Sequence, residues 1–476
     1  MPDNTRIGTR IFFLPHLFFF SIFCFSFSAS AQLGTTSPFS RYGIGELKEG
    51  YAQNFSMAGL STAMQTDTLT PFNINVGNPA SLPYLRLSTF EAGVSSNTSR
   101  LLTSKEEQVT NATSFGYVGL AFPVKKWWGS GFSLQPMSSV GYNVTDTKYL
   151  DNVGNVGYVY NGSGSIDKLC WSNGFKFADS SGVKSNGKRK AGALKGLSFG
   201  GNVSYLFGRI DNTRKIIFPS SSGYFNYKTV GSTNISDVYF DYGIQYGFTI
   251  DSARAGVDPA TQKRLKRDLR DKVRIIFGAT YSAMTDIDTK TNRLSETFVS
   301  NVYGYDIPRD TIENVNQNSS IRLPGKFSVG VTIKKGDKLV VGAEYAIQNW
   351  ADFKFAGVDG GLKNSSRFTL GVQYVPSHRT DKTDIGYLKK VYYRAGLRYS
   401  NLPVNITNSQ LKEVAFSFGF GLPVGYTRHN MVNYNSINLG FEIGQRSNAG
   451  DLKEQFYNLV VGITLNDRWF IKSKYD

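Results

Sequence analysis

The sequence predicts an all-β fold: a single antiparallel transmembrane β-barrel of about fourteen strands. Three observations carry this reading. Bulky apolar residues recur at every second position in one segment after another, a secretory leader opens the chain, and beyond it no run approaches the ~18 consecutive apolar residues of a membrane helix. Residues 414–423 show the alternation plainly. Val414, Phe416, Phe418, Phe420 and Leu422 are apolar, while Ala415, Ser417, Gly419 and Gly421 between them are small or polar. A soluble sandwich would bury the apolar face against a second sheet, whereas a membrane barrel turns it to lipid and keeps a polar lumen. The same pattern returns in 238–250, 438–444 and 455–465.

The leader comes first in the chain. Arg6 and Arg10 precede the apolar run 11–27, and Ala29-Ser30-Ala31 supplies the small residues a signal peptidase reads. Residues 1–31 are therefore expected to be removed near Ala31, leaving a chain that begins at Gln32. A secreted chain that spans a membrane without apolar helices must close into a barrel, because unpaired backbone groups cannot face hydrocarbon. The expected destination is the outer membrane of a Gram-negative-type bacterium. Gly is 49 of 476 residues, aromatics are 14% and hydrophobic residues total 40%, which suits a barrel with polar lumen and loops. Without the leader only Cys170 remains, so no internal disulfide is possible.

The alternation places strands near 86–99, 113–122, 131–144, 154–178, 196–208, 237–250, 273–286, 321–334, 339–348, 367–375, 391–400, 414–422, 434–445 and 455–465. The clearest hairpin sets Phe327, Val329, Val331 and Ile333 against Leu339, Val341, Ala343, Tyr345 and Ile347 across a turn containing Gly336. The barrel thus occupies 86–476, with long connections at 179–195, 209–236, 251–272 and 287–320. An even strand count returns both ends to the periplasm. Inward positions include Asn202, Ser204, Asp241, Gln245, Glu344, Arg394, Arg398, Asn438 and Glu442, a polar lumen.

Charge is uneven. The chain holds 53 Lys and Arg against 36 Asp and Glu. The segments that alternation makes periplasmic are 123–129, 179–195, 251–272, 334–338, 376–390, 423–433 and 466–476, and together they contain 25 Lys and Arg against 10 acids. Such a face suits anionic headgroups, peptidoglycan or an acidic protein partner. Nucleic acid is excluded by compartment. Within 251–272, Asp258 and Pro259 read as a helix start, and Lys263, Arg264, Lys266, Arg267 and Arg270 surround Leu265 and Leu269. These five cations are the candidate partner-docking residues, against the simpler reading of a solvated helix on the barrel rim.

Residues 32–85 do not follow the barrel pattern. They contain Gly43-Ile44-Gly45, the small-residue run Met57-Ala58-Gly59-Leu60-Ser61-Thr62-Ala63 and the triplet Asn78-Pro79-Ala80. Here the chain resembles the FadL-type family of outer-membrane transporters of fatty acids and other hydrophobic molecules. The resemblance implies that 32–85 folds as a hatch inside a fourteen-stranded barrel, with Asn78, Pro79 and Ala80 in it. It also implies a break in the third strand that opens a lateral path. Gln135-Pro136-Met137 supplies one, since proline cannot donate to a ladder; a bulge with no transport role is the plainer reading. Inward Gly200, Gly243, Gly247, Gly371, Gly419 and Gly440 leave room for a plug. The terminal segment 462–472, with Trp469 and Phe470, resembles the branch of this family that includes a type IX secretion component.

Enzymatic readings fare poorly. Gly196-Leu197-Ser198-Phe199-Gly200 matches a nucleophile-elbow pattern but lies in an alternating strand, and His378 and His429 fall in connections. No Cys/His spacing suggests a metal, Asp286 and Asp288 flank an expected turn, and no cofactor is implied. Two classes of function stand. In one, the barrel passes a hydrophobic small molecule through a hatch-gated lumen with a lateral exit at the third strand. In the other, it is a non-transporting subunit or shuttle of a secretion or assembly machine in the outer membrane, docked on periplasmic or outer-membrane proteins through its basic face. The first predicts apolar lumen walls.

Overall fold

The computed structural model describes residues 37–40, 51–66, 73–104, 106–177, 196–250, 273–377, 386–406, 408–424, 435–448 and 450–467. The expected leader, Lys263, Arg264, Lys266, Arg267, Arg270, both connection histidines, Trp469 and Phe470 lie outside them. Eighteen strands form one antiparallel sheet: β1 (Ser88–Leu102), β2 (Glu107–Lys125), β3 (Trp128–Leu150), β4 (Gly154–Lys176), β5 (Leu197–Ile217), β6 (Asn226–Ile250), β7 (Val273–Ser282), β8 (Thr285–Ser300), β9 (Asp306–Leu323), β10 (Lys326–Lys335), β11 (Leu339–Gln348), β12 (Lys354–Phe355), β13 (Val358–Asp359), β14 (Ser365–Tyr374), β15 (Tyr392–Ile406), β16 (Ser409–Pro423), β17 (Ser436–Ser447) and β18 (Lys453–Asp467). The sheet closes where β1 pairs with β18, Ser88 facing Asp467 and Leu102 facing Lys453. Closure removes the sheet edge, as a membrane requires.

Fourteen staves make the barrel, because the two-residue strands β12 and β13 form a small hairpin beside β9 and two pairs of the remaining strands are successive pieces of one stave. β6 pairs with β7 along residues 241–250 and with β8 along 226–235, and β9 and β10 follow each other in the same way. Side-chain alternation holds around the wall. On β6, Phe240, Tyr242, Ile244 and Tyr246 point outward and are exposed, while Tyr239 and Gln245 are buried inside. Phe327, Val341, Phe368, Leu397, Phe416 and Ile463 continue the apolar exterior around other staves. Exposed apolar side chains in such a continuous band are stable facing hydrocarbon and not water. Among the described residues no helix is long and apolar enough to cross a membrane.

The inner face is crowded with glycine. Among the described residues glycine faces glycine across eight ladders, among them Gly174 with Gly200, Gly200 with Gly243, Gly371 with Gly396 and Gly419 with Gly440. The N-terminal residues 51–66 and 73–87 lie against this belt. A Cβ on Gly200 would stand 2.6 Å from the Pro79 carbonyl carbon, and one on Gly440 would stand 2.8 Å from the Phe55 ring. Of the six inward glycines singled out in the sequence, five meet this segment, and Gly247 meets Arg274 instead.

Strands run further than expected on the side away from Ser88 and Asp467. β5 continues to Ile217 and β6 begins at Asn226, while β8 and β9 fill most of 287–320. The connections expected at 209–236 and 287–320 thus contract to short turns, and Asp286 and Asp288 sit within β8, with Asp286 paired to Arg322 at 2.7 Å. These extensions stand beyond the apolar belt, so they carry Thr, Ser and Asn on both faces and show no hydrophobic period. They are held by a second core. Val140, Ile166, Leu206, Ile210, Ile235 and Ile287 pack with Trp350, Phe353 and Leu362, which the connection between β11 and β14 folds inward.

The ladder between β2 and β3 is short. It runs from Lys125 facing Trp128 to Val118 facing Leu134 and ends there, although β2 continues along β1 to Glu107 and β3 along β4 to Leu150. One residue further along β3 stands Gln135, then Pro136, where the β3–β4 register slips before Ser138. Ser40 lies beside β3 above this point and accepts from the Gly141 amide at 3.1 Å.

Candidate functional site: a lumenal septum between two cavities

The N-terminal segment begins its passage through the lumen with Tyr51, whose ring stacks on that of Tyr117 at 4.0 Å. A single helical turn, Ala52–Phe55, follows, and Ser56 caps it by donating from Oγ to the Ala52 carbonyl at 2.7 Å. The chain then turns sharply. Ala58 and Gly59 have φ of 58° and 90°, in the left-handed region, and Asn54 closes the turn by accepting from Gly59 N and donating to the Leu60 carbonyl at 2.7 Å. Left-handed backbone is ordinary for glycine and disfavoured for alanine, so Ala58 is held there by its surroundings.

This turn separates two spaces. On the side of the extended strands lies a larger cavity, partly open to solvent, whose lining includes Phe39, Phe55, Ala58, Trp350, Leu411 and Arg446. On the other side lies a smaller one, lined by Gln53, Met57, Gln65, Lys334 and Gln373 among others. Residues 53–59 thus supply both the floor of one cavity and the roof of the other. The larger cavity has two kinds of wall: apolar, from Phe39, Trp350, Leu411 and Val460, and charged, from Arg398, Glu413, Glu442 and Arg446. Arg398 bridges Glu413 at 2.9 Å and Glu442 at 2.8 Å, and Arg446 bridges Glu413 at 2.8 Å and Glu454 at 3.3 Å. Ser37 Oγ and Ser99 Oγ each donate to Glu454 at 2.8 Å, tying the N-terminal arm to the wall. Buried guanidinium and carboxylate groups are tolerable because each is matched, and removing one partner would leave a charge unpaired.

The expected triplet Asn78-Pro79-Ala80 is buried and structural in its contacts. Asn78 Oδ1 accepts from Ala80 N at 3.1 Å, opening the 3₁₀ turn Pro79–Tyr84, and Nδ2 donates to the Thr62 carbonyl at 2.7 Å. Proline in the first turn suits such a cap. The triplet fits the glycine belt of β4 to β6, where no Cβ intervenes. Gln135, Pro136 and Met137 lie elsewhere, on β3 at the end of the β2–β3 ladder, with Met137 packed against the second core. Ser198 of the nucleophile-like pattern is buried within β5, as its second residue, and its alternation implied a strand there. Among the described residues no cluster of His, Cys, Asp and Glu could hold a metal.

Sequence reasoning missed Glu91, Glu413, Arg446 and Glu454. Each occupies an inward register position on a strand, where a charge is costly without a partner, and that was the available signal.

The profile of the BamG family matches residues 14–266 and 251–476. The chain belongs to the BamG family. No curated protein sequence matches it. Among solved structures, the chain is similar to the toluene transporter TbuX of Ralstonia pickettii, with a TM-score of 0.53 and 12% identity over 89% of this chain and 100% of that one. It is also similar to a FadL homologue of Pseudomonas aeruginosa, with a TM-score of 0.51 and 12% identity over 88% and 99%. The toluene transporter TodX of Pseudomonas putida gives 0.51 and 15% over 90% and 100%. At such identities the likeness concerns the fold: this BamG-family chain has the architecture of FadL-type outer-membrane barrels.

Proposed function

We propose that the protein passes a hydrophobic small molecule through the outer membrane, that residues 32–85 form a hatch gating the lumen, and that the molecule leaves sideways where β3 parts from β2. The observation that carries this reading is the thinness of the septum. Two cavities face each other across one helical turn, so a local rearrangement, and not expulsion of a domain, would join them. The apolar wall of the larger cavity supports a hydrophobic or amphiphilic occupant. The end of the β2–β3 ladder at Leu134, beside Pro136, supports a lateral route. Two of the similar structures are toluene transporters, which supports the class of cargo.

The test is uptake of a labelled hydrophobic compound by cells producing the parent protein or a chain lacking residues 51–66. Under this reading the deletion raises single-channel conductance in planar bilayers and alters uptake. Conductance equal to that of the parent, with the barrel folded, would remove the hatch from the mechanism.

A further inference from the structure

The septum is gripped at both ends by a carboxylate from the barrel wall. At its entrance, Glu91 of β1 accepts from Gln53 Nε2 at 3.0 Å and from Ile74 N at 2.7 Å. At its exit, Glu344 of β11 accepts with one oxygen from two consecutive amides, Ser61 N at 2.9 Å and Thr62 N at 2.8 Å. Both carboxylates are buried, and their strands stand on nearly opposite walls, six staves apart one way and eight the other. Ala58 and Gly59, the left-handed pair, lie between the grips.

We infer that Glu91 and Glu344 are positioning residues that clasp the septum shut, with Glu344 the clasp that releases. This rests on the hatch acting as a gate. Glu91 joins two distant parts of the segment, residues 53 and 74, and so staples it to itself as well as to the wall. Glu344 holds only the stretch just after the left-handed turn, where rotation about Ala58 and Gly59 would swing residues 60–62 away. Its second oxygen stands 3.8 Å from Arg367 Nη2, and Arg367 lines the larger cavity. An occupant of that cavity that accepts hydrogen bonds from Arg367 weakens the hold on Glu344, which connects occupancy to the clasp. Charge-assisted bonds to backbone amides are strong enough for two of them to govern a local opening.

The experiment reads the septum directly, without substrate. In a Cys170→Ser background, Met57→Cys places a thiol in the lining of the smaller cavity, and a membrane-impermeant maleimide is added to intact cells. The closed septum keeps labelling slow. Glu344→Ala is expected to speed it by about tenfold or more, the effect of losing two charge-assisted bonds from a closed state. Glu344→Gln, which retains a carbonyl acceptor, is expected to fall between. Thr369→Ala, which removes a lumen-facing hydroxyl beside Glu344, is expected to label at the parent rate. Heat-modifiable migration verifies that each barrel is folded, and if Glu344→Ala does not fold, Glu344→Gln decides. Parent-like labelling of the folded Glu344 variants would overturn the clasp. Faster labelling with unchanged uptake would keep the clasp and sink the transport reading instead.

Discussion

At the scale of the residue, the tightest constraints are absences of side chain. Gly200 approaches the backbone of Pro79 and Ala80 so closely that a side chain there must displace the N-terminal segment. Gly200→Val is expected to lower stability by about 1–3 kcal/mol, the usual cost of overpacking, read as an earlier unfolding midpoint in urea on gels that separate folded from unfolded barrel. The ion network sets a second constraint. Arg446→Ala strips one bridge each from Glu413 and Glu454 inside the wall, and breaking a buried pair costs about 3–5 kcal/mol. The same gels should show a midpoint shift larger than that of an exposed pair such as Arg100 with Glu107.

At the scale of the element, β3 departs from regularity on both of its sides. Its ladder with β2 stops at Leu134 and its register with β4 slips after Pro136. If the slip shapes a lateral route, Pro136→Ala restores a donor worth about 1 kcal/mol and lets the strand straighten. Uptake of a hydrophobic compound should fall while surface display and heat-modifiable migration stay unchanged. Equal uptake by both forms would count against a route at β3. The second core has its own consequence. Trp350 and Phe353 fold inward from the connection after β11, and Trp350→Ala should loosen the extensions of β3 to β9, seen as faster amide exchange there than in the belt-level strands.

At the scale of the whole molecule, the distribution of charge separates the two classes of function. The connections that strand alternation assigns to one face hold 25 Lys and Arg against 10 acids, and reversal of Lys263, Arg264, Lys266, Arg267 and Arg270 to Glu falls outside every barrel strand. If this face holds an acidic protein or anionic lipid, the reversed chain should lose a species that co-purifies with the parent. The parent should also lose it as salt shortens the Debye length below about 10 Å. A species retained by both chains at low and high salt would show that the charge serves solvation.

The strands of the belt were legible because a period of two is local: Val414, Phe416, Phe418 and Phe420 declare their lipid face without knowledge of any neighbour. The inward faces of Asn202, Gln245, Glu344, Arg398 and Glu442 followed from the same count, and so did the glycines that admit the N-terminal segment. Where lipid ends, that signal ends. The extensions at 209–217, 226–236 and 287–320 read as connections because their strands face water on one side and a shallow core on the other. Long-range register was equally out of reach of the sequence. Arg398, Glu413, Arg446 and Glu454 stand on four successive staves and meet only because β15 to β18 pair in one particular register. The septum is the same kind of fact. Sequence places Met57 to Ala63 in a small-residue run, but its reduction to one helical turn between two cavities, gripped by Glu91 and Glu344 from nearly opposite walls, is decided by barrel closure, which brings together residues almost three hundred positions apart.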